Sequence, residues 1–144
     1  RYMIMFSGPL LDRIDIQCEI TPVPFKDISK AAPGEPSANI RERVIKAREI
    51  QAARYKDYKG IHCNAQMTER MIHQFAEPNE AGIDMLRMAM EKLSLSARAY
   101  SRILKVARTI ADLEGCEHVE LHHLAEAIGY RALDRGDWAE RGHI

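Results

Sequence analysis

Apolar residues at Leu95, Ala99, Ile103, Val106, Ala107, Ile110 and Leu113 recur at helical steps, which lays them along one stripe of an α-helix. Residues 94–114 form the longest uninterrupted pattern of this kind, and the rest of the chain is organised around them. Ser94 or Ser96 is suited to cap the start by accepting a free backbone N–H, and Gly115 to close the end in a left-handed conformation. The opposite face carries Arg98, Arg102, Lys105 and Arg108. The last three read as a solvated helix face. Arg98 falls in the first turn, where exposed N–H donors and the positive end of the helix dipole favour an anion such as a phosphate.

Ahead of this stretch, Ile14, Ile16, Cys18 and Ile20 alternate with Asp15, Gln17 and Glu19, the period of a half-buried strand. Nothing else in the chain alternates as clearly, so this strand has no evident ladder partner in the sequence. Ser7-Gly8-Pro9 reads as a turn before it, with Leu10 and Leu11 as apolar anchors that fix where Arg13 points. Thr21-Pro22-Val23-Pro24 cannot continue a ladder, and the run from Lys30 to Pro36 reads as an exposed connector and a domain boundary.

From Ser37 the pattern turns helical. Ile40, Val44, Ala47 and Ile50 predict a first helix over about 37–57, ended by Tyr58-Lys59-Gly60. A connector, Ile61-His62-Cys63-Asn64-Ala65-Gln66, leads to a short helix begun by Thr68, with Met71, Ile72 and Phe75 facing inward and Pro78 stopping it. Asn79 caps a third helix that buries Ile83, Leu86, Met90 and Leu93. A last helix from Val119 or Glu120 buries Leu121, Leu124, Ala125 and Ile128, before a polar tail at 136–144. The expectation is a mainly α bundle of about five helices, preceded by one strand.

Composition narrows the chemistry. The chain has 144 residues, enough for one domain with a proper core. Twenty-one basic residues balance 21 acidic ones, so any contact with nucleic acid or an anionic membrane must come from a local patch. Three scattered cysteines without a Cys-x-x-Cys pair favour reduced thiols and a cytoplasmic protein. The opening residues Tyr2 to Phe6 are apolar but too short to span a bilayer, so no membrane partner is expected. The chain does not begin with methionine, which reads as a piece of something longer.

His118 and His122 at helical spacing and the adjacent His62-Cys63 lack the paired spacing and third ligand of a zinc site, so no metal is assigned. No Gly-x-x-x-x-Gly-Lys-Ser/Thr loop occurs, which excludes nucleotide binding by that loop. Arg13, flanked by Asp12 and Asp15, carries two readings. One is a surface ion pair at a strand entrance, the commoner use of such a residue. The other is a guanidinium presented at a domain edge to stabilise charge on a transferring phosphoryl group.

The runs Ser7-Gly8-Pro9-Leu10-Leu11-Asp12-Arg13-Ile14-Asp15, Ile61 to Met67, Leu95 to Leu113, Leu124 to Ile128 and Tyr130-Arg131 together resemble the C-terminal part of the magnesium-chelatase-like AAA+ ATPases. Within them the resemblance is to the bacterial competence-associated group, ComM or YifB. The resemblance implies that residues 1–30 end the ATPase core, 31–38 link, 39–135 form a helical lid and 136–144 a tail. It also implies a hexameric ring in the parent protein, with ATP and Mg2+ bound between subunits, none held by this fragment alone, and DNA as cargo. Arg13 would match the catalytic arginine finger and Arg98 the nucleotide-sensing arginine of the lid. Two alternatives stay open: a chelatase-type metal-insertion motor and a helical interaction module with no motor.

Overall fold

The computed structural model describes residues 7–131. The apolar start and the expected tail at 136–144, together with 132–135, the end of the expected lid, lie outside the described residues. Two short helices come first, α1 (Gly8–Leu11) and α2 (Phe25–Ser29). Then follow α3 (Ser37–Tyr55), a 3-10 turn (Asn64–Gln66), α4 (Glu69–Phe75), α5 (Glu80–Leu93), α6 (Ala97–Glu114) and α7 (Leu121–Gly129). The chain folds as the helical bundle expected, with α6 at its centre against α3, α4, α7 and the 3-10 turn, and α5 closing on α7.

Local chemistry sets the helix ends. Thr68 Oγ1 accepts the Met71 N–H, Asn79 Oδ1 the Gly82 N–H, and Ser96 Oγ the Ala99 N–H, so three helices begin on a side-chain cap. Of the two serines offered for α6, Ser96 caps it. Ser94 instead ends α5 in the left-handed region (φ 48), and Gly115 does the same for α6 (φ 77). At α7 the Glu120 N–H donates to His123 Nδ1 while the Glu120 side chain takes the His123 amide, a reciprocal box.

The core is built from Ile72, Leu86, Ile103, Leu104, Ala107, Ala111 and Leu124, with Tyr55, Tyr58 and Phe75 meeting edge to face around them. The buried stripe of α6 is turned by about one residue from the expected one: Leu104 and Ala111 are inside, and Leu113 is exposed. In α7 Leu124 and Ala127 are buried, whereas Leu121 and Ala125 face solvent. On α5 Leu86 is buried and Ile83 exposed. Ile40, Val44 and Ile50 of α3 are exposed too, because only the C-terminal half of α3, through Ala47, Gln51 and Tyr55, reaches the bundle.

The expected strand is a correction. Residues 14–20 run as irregular chain, and among the described residues there is no strand. Without a ladder partner their alternation has nothing to pair with. The one buried residue of the seven is the polar Gln17, opposite in phase to the isoleucines.

α5 and α7 approach closely at Gly82. A Cβ there would lie 2.6 Å from Pro78 Cβ and 2.8 Å from Leu124 Cδ1. Gly82→Ala is therefore expected to cost about 1–3 kcal/mol despite the better helix propensity of alanine. A lowered urea midpoint with an unchanged slope would bear this out, and a raised midpoint would refute it.

Candidate functional site: a cationic cleft between the N-terminal loop and α6

Arg13 and Arg98 line one open cleft of about 950 Å³, the upper end of the size range of ligand sites. Arg13 follows α1 on two tight turns, with its own N–H bonded to the Leu10 carbonyl (3.1 Å) and that of Ile14 to Leu11 (3.1 Å). Arg98 is the second residue of α6, where the Ala97 and Arg98 amides precede any intrahelical partner. Both side chains are exposed.

Their neighbours are committed elsewhere. Arg102 of α6 pairs with Asp15, tying the loop to the helix. Arg43 is held by Glu35, and the bonded pair pulls the Glu35 carboxyl below and the Arg43 guanidinium above their ordinary values. Lys105 Nζ donates to the Ala65 carbonyl (3.1 Å), Ser101 Oγ to Glu69 (2.8 Å) and the Tyr130 hydroxyl to Glu126 (2.7 Å), which pushes the Tyr130 hydroxyl up. Arg13 and Arg98 enter no ion pair among the described residues. They are the two guanidiniums of this cleft left to meet an anion, beside the Lys105 ammonium, which among the described residues meets only a carbonyl.

Behind the cleft lies a buried polar network, and here Arg108 departs from its expected solvated face: it is 2% exposed. Its guanidinium donates to Asp112 and to the carbonyls of Cys116 (2.7 Å), Glu117 (2.8 Å) and Phe75 (3.3 Å). Asp112 also accepts from Arg54 at 2.6 and 2.8 Å and from Asn64 at 2.9 Å. Asn64 in turn receives the Tyr55 hydroxyl (2.6 Å) and donates to Thr109 (3.0 Å). Burial draws the Arg108 guanidinium below its ordinary value, although Asp112 opposes this. Burial acts the same way on Arg54, but its bonds and attraction to Asp112 outweigh it and leave Arg54 raised. This network was overlooked in the sequence. Its signal was a pair of opposite charges four residues apart, on the face opposite the apolar stripe read from the sequence.

Glu114, Cys116 and His123 bring three potential ligand atoms within 4.8 Å of one another. Hydrogen bonding accounts for the cluster. The Glu120 N–H occupies His123 Nδ1 at 2.9 Å, so Nε2 carries the proton and donates to Glu114 at 2.5 Å, leaving the buried ring no lone pair for an ion. His122 Nε2 lies 2.8 Å from the same oxygen, and the two histidine bonds hold the Glu114 carboxyl below the usual range. Of the acids that line the cleft, Asp15 meets Arg102, Glu69 meets Ser101, Glu126 meets Tyr130 and Glu114 meets these histidines.

Residues 34–131 match the profile of the family described as magnesium chelatase, subunit ChlI C-terminal. The chain belongs to this family. Arg98 lies inside the matched span, and Arg13 lies ahead of it. The competence protein ComM of Haemophilus influenzae is 43% identical over 136 residues, 94% of this chain and 26% of that protein. YifB of Escherichia coli, itself called uncharacterized, is 41% identical over the same shares. A Mycobacterium bovis protein, Mb2921c, is 34% identical over 131 residues, 91% of this chain and 26% of that protein. The chain thus spans about a quarter of the length of the curated relatives it matches. No helix among the described residues is long and apolar enough to cross a membrane.

Proposed function

We propose that this chain is the lid fragment of an ATP-driven, DNA-remodelling AAA+ motor of the branch-migration or helicase type, supplying arginines to an ATP site between subunits of a hexameric ring. The observation that carries this is the cleft lined by Arg13 and Arg98, which have no carboxylate partner among the described residues, while Arg43 and Arg102 beside them are paired with carboxylates. Two permanently charged guanidiniums at one opening suit a phosphate chain. Acting as electrostatic stabilisers, they would offset charge that spreads over the γ-phosphoryl oxygens as it transfers, Arg13 reaching across the subunit boundary as the finger and Arg98 reading the nucleotide. Mg2+ and the remaining phosphate contacts would come from residues outside this chain. Residues 1–30 would end the ATPase core and 39–135 form the lid, with the connector between them as a hinge coupling ATP state to lid angle. The motor would work in the cytoplasm.

DNA is favoured as cargo because the Haemophilus influenzae relative is named a competence protein. The description of the matched family favours a second reading, a chelatase-type motor that drives metal insertion. Hydrolysis by the full-length protein, with and without branched DNA, separates the two. DNA is expected to raise turnover, and Arg98→Ala to remove about 10²-fold of it, the usual effect of deleting one preorganised stabiliser. Turnover indifferent to DNA would favour metal insertion, and no turnover at all would leave a helical module without a motor.

A further inference from the structure

We propose that Arg131, just beyond α7, is a positioning residue that holds the loop carrying Arg13 against the bundle. Arg131 is 1% exposed, an unusual place for a guanidinium. It donates to the carbonyl oxygens of Ile14 and Leu11, the latter at 3.3 Å, and these two carbonyls bracket Asp12 and Arg13. A planar fork of fixed donors can hold two acceptors at a set spacing, which a single ammonium cannot.

The neighbouring bonds strengthen the grip. The Gln17 N–H donates to the Tyr130 carbonyl (2.9 Å), and Gln17 Nε2 to Leu11 (3.2 Å). Asp15 is fastened to Arg102 of α6. Arg13 is thus an exposed residue in a loop anchored on both sides, and no ladder does this work, since residues 14–20 form no strand. The loop is bonded to α6, which bears Arg98, and to the residues just beyond α7. The catalytic part of this inference rests on the finger reading of Arg13; the anchoring of the loop does not.

The test uses the full-length protein and the variants Arg131→Ala, Arg131→Lys, Arg13→Ala and the double alanine variant. Arg131→Ala is expected to speed amide exchange across 10–17 by about tenfold or more while exchange across 97–114 stays as in wild type, the signature of local opening. Its kcat should fall by about 10²-fold with KM for ATP little changed, the usual cost of misplacing a catalytic group by an ångström. The double variant should be no slower than Arg13→Ala alone, because both changes remove the same interaction. Arg131→Lys should fall between wild type and alanine on both readouts, and it takes over as the test if alanine unfolds the bundle. Unchanged exchange across 10–17 overturns the proposal. So does unchanged kcat in a protein whose turnover collapses with Arg13→Ala. If Arg13→Ala itself leaves turnover intact, the finger reading fails, and exchange alone decides: faster exchange upholds the anchor and unchanged exchange removes it.

Discussion

Arg13→Ala in the full-length protein is expected to lower ATP turnover by about 10³-fold or more while leaving ATP affinity within about threefold of wild type. A factor of 10³ is about 4 kcal/mol of transition-state stabilisation, within reach of one well-placed guanidinium in a site from which water is excluded. Affinity should hold because the charge that Arg13 meets develops during transfer, and an interaction made only then changes kcat and not ground-state binding. The loop supports this division of labour. Arg13 is exposed, enters no ion pair among the described residues, and lines the cleft on a backbone secured by Arg131, Gln17 and Asp15. Arg13→Lys should recover only part of the loss, since an ammonium keeps the charge but not the planar fork. Steady-state hydrolysis and equilibrium nucleotide binding, measured on the same preparations, decide the matter. Equal turnover in variant and wild type would sink the finger assignment, whereas turnover lost in step with affinity would make Arg13 a ground-state contact.

Helices α4 to α7 were legible in the sequence because their signals are local. Thr68, Asn79 and Gly115 announce their boundaries by residue type, and these caps are formed as expected. Burial within a helix was read less exactly. Adjacent positions differ by about 100° around a helix, so whether Ile103 or Leu104, Ile110 or Ala111 faces the core depends on which neighbours pack there. In α6 those neighbours are α3 and α7, and both members of the first pair are buried because the helix is covered on more than one side. The strand failed for the opposite reason. Alternation describes one strand, but a ladder needs a second, and Ile14, Asp15 and Gln17 are held instead by Arg131, by Arg102 of α6 and by the Tyr130 carbonyl.

The candidate site was legible in parts. Arg98 could be singled out by its place in a first turn, and Arg13 by its place beside an apolar anchor, but their roles came from the resemblance. Nothing in either local pattern says that the two share a cleft, which follows from the packing of the N-terminal loop on α6 and α7. Arg108 was misread because a cation at helical spacing is usually solvated. Asp112, one turn on and on the same stripe, is the residue that makes its burial tolerable.

That dependence gives the second large expected effect: Asp112→Ala should destabilise the bundle by about 3–5 kcal/mol, the usual cost of removing one partner from a buried charge network. The Asp112 side chain is 0% exposed and takes bonds from Arg54, Arg108 and Asn64. Alanine would leave the Arg54 and Arg108 guanidiniums together without the carboxylate that compensates both, and Arg108 already sits below its ordinary value through burial, with the nearby charge of Arg54 acting in the same direction. It would also strand one donor of the Asn64 amide, whose other atoms secure α3 and the 3-10 turn. Against a total stability of about 5–15 kcal/mol, such a loss brings the fold close to its limit. Asp112→Asn keeps the shape without the charge and should cost less than alanine. An apolar replacement of Asp112 and Arg108 together should recover part of the loss, because the penalty arises from the uncompensated charge rather than from the missing contact. Asp112 does not line the cleft, so the folded fraction of each variant should bind ATP as wild type does. Urea denaturation of the single and double variants provides the check. A loss below about 1 kcal/mol for Asp112→Ala would mean that water reaches the two guanidiniums and that the network contributes little to holding α3 on α6.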